Sequence, residues 1–121
     1  MSIELWKTPV APTALVMSPI FAVLPKRQCQ ISMEFEGSSG IVRNALLFEE
    51  VEAFKCTYLT SCSAAMFNTA YGKLVRLGST QWLAETQEAN SRRSPSELQH
   101  LMICFDDGPC YELICRGFRV S

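Results

Sequence analysis

Residues 98–120 constrain the fold most, because their sequence, LQHLMICFDDGPCYELICRGFRV, predicts a β-hairpin. Apolar residues alternate with others on both sides of a turn signal at Asp107-Gly108. A shift of one residue would move every apolar side chain to the opposite face, so the alternation selects a loop with an odd number of residues. We expect a three-residue loop, Asp107 to Pro109, in which Gly108 supplies a left-handed conformation.

This loop sets the expected register of the hairpin. The facing pairs are then Phe105 with Tyr111, Ile103 with Leu113, and Leu101 with Cys115. The opposite face is only half polar and carries His100, Met102, Cys104, Glu112, Ile114 and Arg116. A hairpin with two partly apolar faces is typical of the inside of a sheet, with another element over part of its second face.

Period-two alternation also predicts strands in the N-terminal half. It is clearest over residues 28–36, where one face carries Cys29, Ile31, Met33 and Phe35. Residues 41–48 and 51–59 follow after short turns, so these three strands predict an antiparallel meander. Residues 2–6 predict a first strand, and residues 20–24, between prolines, predict a short strand or a single turn.

The apolar period lengthens after residue 62 and predicts a helix over residues 63–77. Its apolar stripe consists of Phe67, Ala70, Tyr71, Leu74 and Leu77. Ser61 or Ser63 would cap the start of this helix, and Gly78 would end it. Gly72, in the middle of the helix, indicates that another backbone passes close by.

A second, short helix is predicted to start at Ser79. Its inward residues would be Trp82, Leu83 and Thr86. The polar residues 89–96 predict a mobile loop before the hairpin. The chain, residues 1–121, is therefore expected to be one α+β domain. Its antiparallel sheet would have about five or six strands, with the two helices packed on one side.

Charge and cysteine content limit the classes of partner and compartment. The net charge is −1, and the paired bases Lys26-Arg27 and Arg92-Arg93 make no basic face, so nucleic-acid binding is not expected. The apolar run 14–24 contains a proline and lacks the features of a signal peptide, and it is too short to span a bilayer. We therefore expect a cytoplasmic protein without membrane contact, whose six cysteines are free thiols.

Motifs for catalysis, metal or cofactor binding are not recognised. His100, Cys104, Cys110 and Cys115 are close in sequence, but Cys115 is expected on the other face of the hairpin, which disfavours a metal site. The glycines lack phosphate-loop spacing. We expect no catalytic, cofactor-binding or metal residues, which favours a protein that is not an enzyme.

The leading hypothesis is a protein-binding or accessory domain of bacterial type, of the kind that immunity proteins represent. The candidate docking residues for a basic partner are Glu34, Glu36, Glu49, Glu50 and Glu52. Met102 and Ile114 would leave apolar surface uncovered, and a homodimer through the hairpin would cover it.

Two alternatives stay open. One is a small-ligand-binding protein or minor enzyme with a pocket between sheet and helix, where Tyr58, Tyr71 and His100 would supply polar groups. The other is thiol-based redox sensing, which would need an exposed cysteine with a lowered pKa.

Overall fold

The computed structural model describes residues 2–90 and 97–121, which form nine strands in two antiparallel sheets and two α-helices. The strands are β1 (Ser2–Lys7), β2 (Ile20–Leu24), β3 (Gln28–Gly37), β4 (Gly40–Glu49), β5 (Ala53–Thr57), β6 (Lys73–Leu77), β7 (Gln99–Cys104), β8 (Cys110–Cys115) and β9 (Gly117–Val120). The helices are α1 (Ala64–Ala70) and α2 (Gln81–Asn90), and short 3-10 turns occur at Pro12–Ala14 and Leu59–Ser61. The predicted α+β class is confirmed.

The nine strands form two sheets, whereas one sheet of about five or six strands was predicted. The first sheet has the order β1-β6-β7-β8-β5, and the second has the order β2-β3-β4-β9. Their facing sides share one core, in which Phe35 and Phe48 of the second sheet meet Leu101, Ile103 and Leu113 of the first. The other side of the first sheet packs on α1, so the described residues form three layers.

The alternation of β3 is confirmed as a half-buried strand. Its inward residues Cys29, Ile31, Met33 and Phe35 are all buried. β2, β3 and β4 pair consecutively and make the meander. The predicted third strand of the meander, β5, instead crosses to the first sheet and pairs with β8, while β9 takes the place beside β4.

The hairpin of β7 and β8 keeps its predicted faces but not its predicted register. Leu101 faces Leu113 and Ile103 faces Tyr111, a shift of two residues that leaves every side chain on its expected face. The loop therefore comprises residues 105–109, because the strand pairing ends at Cys104 and Cys110. Within the loop, the Phe105 carbonyl accepts a hydrogen bond from the Gly108 amide at 2.8 Å. Phe105 is buried against the ring of Tyr111.

The predicted helix over residues 63–77 is correct only at its start. Ser63 caps α1 by accepting from the Met66 amide, but the helix ends at Ala70 and the chain continues as strand β6. Gly72 allows the chain to turn from helix α1 into strand β6, since it has φ +67°. Its amide donates to the Cys104 carbonyl, and its carbonyl accepts from the Thr8 amide. Gly78 therefore follows strand β6, and its predicted role as the end of a helix is wrong.

The predicted second helix is present as α2, with Thr80 capping it by accepting from the Leu83 amide at 3.2 Å. It continues through Asn90, so the predicted loop 89–96 begins later than expected. The rest of that loop, residues 91–96, lies outside the described residues.

Candidate functional site

The five glutamates proposed as a docking patch do not form a purely acidic surface. Glu34 pairs with Arg43 at 3.1 Å and Glu49 with Arg119 at 3.4 Å. Glu52 pairs with both Arg27 and Arg116. Glu36 and Glu50 are exposed, on β3 and on the turn after β4. Arginine side chains interleave with this patch and offset much of its charge.

Met102 and Ile114 lie in the interior, so the expectation that they leave apolar surface uncovered is wrong. Met102 is 4% exposed and Ile114 is fully buried. Met102 packs with Ala70 and Val75 in the cluster below α1. The helical layer covers the second face of the hairpin, and a homodimer through these two residues would require that layer to move.

Tyr58, Tyr71 and His100 have separate surroundings. Tyr58 is 71% exposed beside the end of β5. Tyr71 donates to an Asp106 carboxylate oxygen at 2.8 Å, and burial together with this hydrogen bond raises the pKa of the tyrosine. His100 is buried under α2. The three residues therefore do not line one common pocket.

His100 is instead the central residue of a partly buried hydrogen-bonded relay, Thr80–His100–Glu112. Its Nδ1 lies 2.8 Å from the Thr80 hydroxyl, and its Nε2 lies 2.9 Å from a Glu112 carboxylate oxygen. The Trp82 ring meets the imidazole edge-on, and the Lys55 ammonium lies 4.1 Å from the centre of that ring. The relay ties α2 to two adjacent strands of the first sheet.

Sequence reasoning missed Thr80 and Glu112 as partners of His100. The predicted register placed Arg116 opposite the histidine, whereas the observed register places Ile114 there and Glu112 one diagonal step away. A search for a carboxylate diagonal to His100 in each odd-loop register would have found Glu112. Thr80 could not be found in this way, because its position depends on how α2 crosses the sheet.

Replacing Glu112 with glutamine should destabilise the protein at neutral pH by about 1–3 kcal/mol, since the charge-assisted hydrogen bond is lost in a buried setting. The hydrogen bond with His100, assisted by Lys55, lowers the pKa of Glu112 against the opposing effect of burial. The carboxylate therefore stabilises the fold above its unfolded pKa of about 4.3, and this contribution is lost as pH falls through the lowered folded pKa.

Urea unfolding of both proteins between pH 7 and pH 3 checks this prediction. The difference in free energy of unfolding should shrink toward acid pH, because the wild-type carboxylate becomes protonated while glutamine does not change. Glu36→Gln, at an exposed position, is the matched control and should show no such convergence. A constant difference over the whole range would contradict the assigned role of the Glu112 charge.

An exposed apolar edge lies where an edge strand of one sheet is close to an edge strand of the other. β2 and β5 are edge strands of their sheets, and the ring of Phe21 lies 5.0 Å from that of Phe54. Val23 is 66% exposed and Phe54 is 45% exposed, although both point to the side on which the core lies. They line a cleft of about 270 Å³ together with Arg27, Gln28, Cys29, Val51, Glu52 and Ala53.

The six cysteines are free thiols, as predicted. Cys104 and Cys110 face α1, whereas Cys115 belongs to the core between the sheets. Burial raises the pKa of Cys104 to about 11 and that of Cys115 to about 12, and it also raises the pKa of Cys110. Within residues 2–90 and 97–121, no three histidine, cysteine or acidic side chains are grouped suitably for a metal ion.

In the described part of the chain, neither helix has the length and apolar character required of a membrane-spanning helix. Comparisons of the chain with protein-family models, with curated proteins and with solved structures found no match.

Proposed function

We propose that this protein is a protein-binding domain that accepts an extended segment of a partner along the free side of β5. The observation that carries the proposal is the apolar edge at which Val23, 66% exposed, and Phe54, 45% exposed, line one cleft, with the 71% exposed Tyr58 following the end of β5. Exposed apolar residues that form a contiguous group are typical of interaction surfaces. Free thiols suit a reducing compartment, so we place this accessory role in the cytoplasm.

The backbone of β5 supports an extended occupant. β5 pairs with β8 on one side, and among the described residues no strand pairs with its other side. An edge strand presents a row of amide and carbonyl groups to any chain that lies beside it. A peptide strand can satisfy these groups, as in other cases of β-strand addition.

The side chains along β5 define what the occupant needs. Phe54, Cys56 and Tyr58 alternate on the face that continues the core side of the sheet, and all three are exposed. A strand added beside β5 would place alternate side chains over Phe54 and toward Val23 across the cleft. These side chains should therefore be apolar.

Lys55 lies on the opposite face of β5, with its ammonium over the Trp82 ring. The Lys55 side chain, which faces Glu112 of β8, would have to turn from Trp82 toward the added strand to pair with an acidic side chain directly across from it. A second copy that paired through its own β5 would offer no acidic side chain for this contact, since Lys55 is the one charged residue of that strand. The charge pattern thus favours a different protein over self-association.

A small ligand fits this edge less well. The cleft of about 270 Å³ is below the range of about 300–1,000 Å³ that is usual for small-molecule pockets. Its two charged lining residues, Arg27 and Glu52, already pair with each other, which leaves them less available to a ligand.

The test uses a fluorescein-labelled nonapeptide in which valine alternates with threonine and one central position is glutamate. We expect it to bind, and Phe54→Ala should weaken binding by about tenfold, in keeping with the loss of one buried aromatic contact. Lys55→Gln, which removes the charge without adding a carboxylate opposite Glu112, should weaken binding of this peptide and leave that of its glutamine counterpart unchanged. Fluorescence anisotropy gives the dissociation constants, and sedimentation velocity gives the mass of the free protein.

Two controls separate strand addition from nonspecific apolar contact. Ile41→Ala removes an equally exposed apolar side chain from β4 and should leave the affinity unchanged. Methylation of the peptide amides that face β5 should abolish binding, while methylation of the alternate amides should not. Binding that ignores the methylation pattern and the Lys55 charge would overturn the proposal, and a stable dimer of the free protein would replace the partner with a second copy.

A minor enzyme is the second candidate, because Thr80, His100 and Glu112 follow the order hydroxyl, imidazole and carboxylate that hydrolytic triads use. The Thr80 oxygen, however, also accepts the Leu83 amide and so serves as the cap of α2. A capping hydroxyl is held by the helix and is less available for attack on a substrate. We therefore rank this function below protein binding.

A further inference from the structure

We propose that Cys62 and Cys110 form a site for reversible oxidation by a hydroperoxide, which joins them in a disulfide. Their sulfur atoms lie 3.3 Å apart, although the residues are 48 positions apart in sequence. Cys62 directly precedes the capping residue of α1, and Cys110 is the first residue of β8. This proposal stands on the thiol pair alone and does not depend on the partner-binding proposal.

The two thiols differ in access. Cys110 is fully buried, whereas Cys62 is only half-buried, so a small oxidant reaches Cys62 first. Burial and the neighbouring thiols raise the pKa of Cys110. Cys110 therefore stays a protonated thiol until Cys62 has been oxidised to a sulfenic acid. The Cys62 sulfur also lies 3.3 Å and 3.4 Å from the Thr57 and Tyr58 carbonyl oxygens, which hold it beside the end of β5.

Cys104 is a weaker partner for Cys110 although it faces it across the hairpin. Directly facing residues of adjacent strands have Cβ atoms about 4.5–5.5 Å apart, whereas a disulfide needs about 3.5–4.5 Å. The Cys104 thiol contacts the Cys110 thiol but also donates to the Met66 carbonyl oxygen on α1, at 3.4 Å. Cys62 approaches from a loop and can close the remaining distance without pulling two strands together.

The reaction proceeds in two balanced steps. The Cys62 thiol loses its proton and its sulfur attacks one oxygen of hydrogen peroxide. The O–O bond breaks, Cys62 sulfenic acid forms, and the departing hydroxide takes up the proton as water. The Cys110 sulfur then attacks the sulfenic sulfur, the S–O bond breaks, and the Cys110 proton leaves with the oxygen as water. In total two thiols lose two electrons and two protons to one peroxide, giving one disulfide and two waters.

The disulfide would fasten the segment between β5 and α1 to the hairpin. Residues 57–62 include the exposed Tyr58 and Leu59, and Leu59 already lies against Gly108 at the hairpin turn. Closing the covalent loop from Cys62 to Cys110 restricts the unfolded chain, so the oxidised protein should unfold at a higher temperature.

The experiment treats the Cys56→Ser protein with a small excess of hydrogen peroxide, since this variant lacks the exposed thiol of β5. We expect the intact mass to fall by about 2 Da, two thiols to become unreactive in denaturant, and a thiol reductant to reverse both changes. Digestion without reduction should yield one linked pair of peptides, containing Cys62 and Cys110. This mapping needs no substitution of the buried Cys110.

Single substitutions in the Cys56→Ser background complete the test. Cys62→Ser should abolish the mass loss, whereas Cys104→Ser, which removes a thiol next to Cys110, should retain it. A linked pair that contains Cys104 would overturn the proposal. Stable accumulation of sulfinic acid on Cys62, with no linked peptides, would also overturn it, because Cys110 would then have failed to capture the sulfenic acid.

Discussion

Replacing Gly72 with alanine should lower the free energy of unfolding by about 2–5 kcal/mol. Gly72 has φ +67°, a conformation that costs other L-residues about 1–2 kcal/mol. A Cβ atom at this position would also lie 2.3 Å from the Cγ of Pro12, and relief of such overpacking costs about 1–3 kcal/mol. Urea denaturation followed by far-UV circular dichroism measures the change.

A double-mutant cycle separates these two effects. Pro12→Ala removes the closest atom, so Gly72→Ala should be less destabilising in that background and retain mainly the backbone strain. Gly117→Ala is the control for the substitution itself, because a Cβ there meets no other atom within 4 Å. If Gly72→Ala left the stability unchanged, the turn from α1 into β6 would not have the described geometry.

Replacing Phe48 with alanine should cost about 3–5 kcal/mol, the range for removing a buried aromatic side chain. Phe48 is fully buried in the core that the two sheets share, opposite Cys29 of β3 and Phe118 of β9. The loss combines the transfer of apolar surface with the cavity that remains. Thermal and urea unfolding should both report it.

Two variants test whether this loss comes from the shared core. Phe48→Leu keeps most of the volume and should cost less than Phe48→Ala. Ile41→Ala, at an exposed position on the same strand, should change the stability by less than about 0.5 kcal/mol. Equal losses for Phe48→Ala and Ile41→Ala would argue against a core between the two sheets.

The hairpin shows how much of a local structure can be predicted from the sequence. The alternation of Leu101, Ile103, Leu113 and Cys115 correctly predicted an odd loop and the inward face of both strands. It could not choose between loops of three and five residues, because a shift of two residues preserves every face. Burial of Phe105 against Tyr111 and the hydrogen bond from the Gly108 amide select the longer loop.

The segment after α1 illustrates the opposite case. Leu74 and Leu77 continue the helical spacing of Phe67 and Ala70, so the local pattern favours one long helix. In the fold, Gly72 turns the chain and β6 fills the place between β1 and β7. Residues 73–77 form a strand because the neighbouring strands β1 and β7 both supply backbone hydrogen bonds. The spacing of apolar residues within 63–77 cannot reveal these distant partners.

The candidate site depends still more on tertiary structure. Alternation within residues 51–59 puts Phe54, Cys56 and Tyr58 on one face, but only the placement of β5 at a sheet edge leaves that face open. The Cys62–Cys110 contact and the Thr80–His100–Glu112 relay join residues from distant parts of the chain.

By itself, the sequence determined the α+β class, most strand positions and the inward faces of β3, β7 and β8, because alternation and turn residues act locally. Only the tertiary structure decided the division into two sheets, the strand order and the groups that meet at the sites. Those features depend on which distant strands exchange hydrogen bonds and on which apolar faces bury one another, and neither is encoded in the spacing of neighbouring residues.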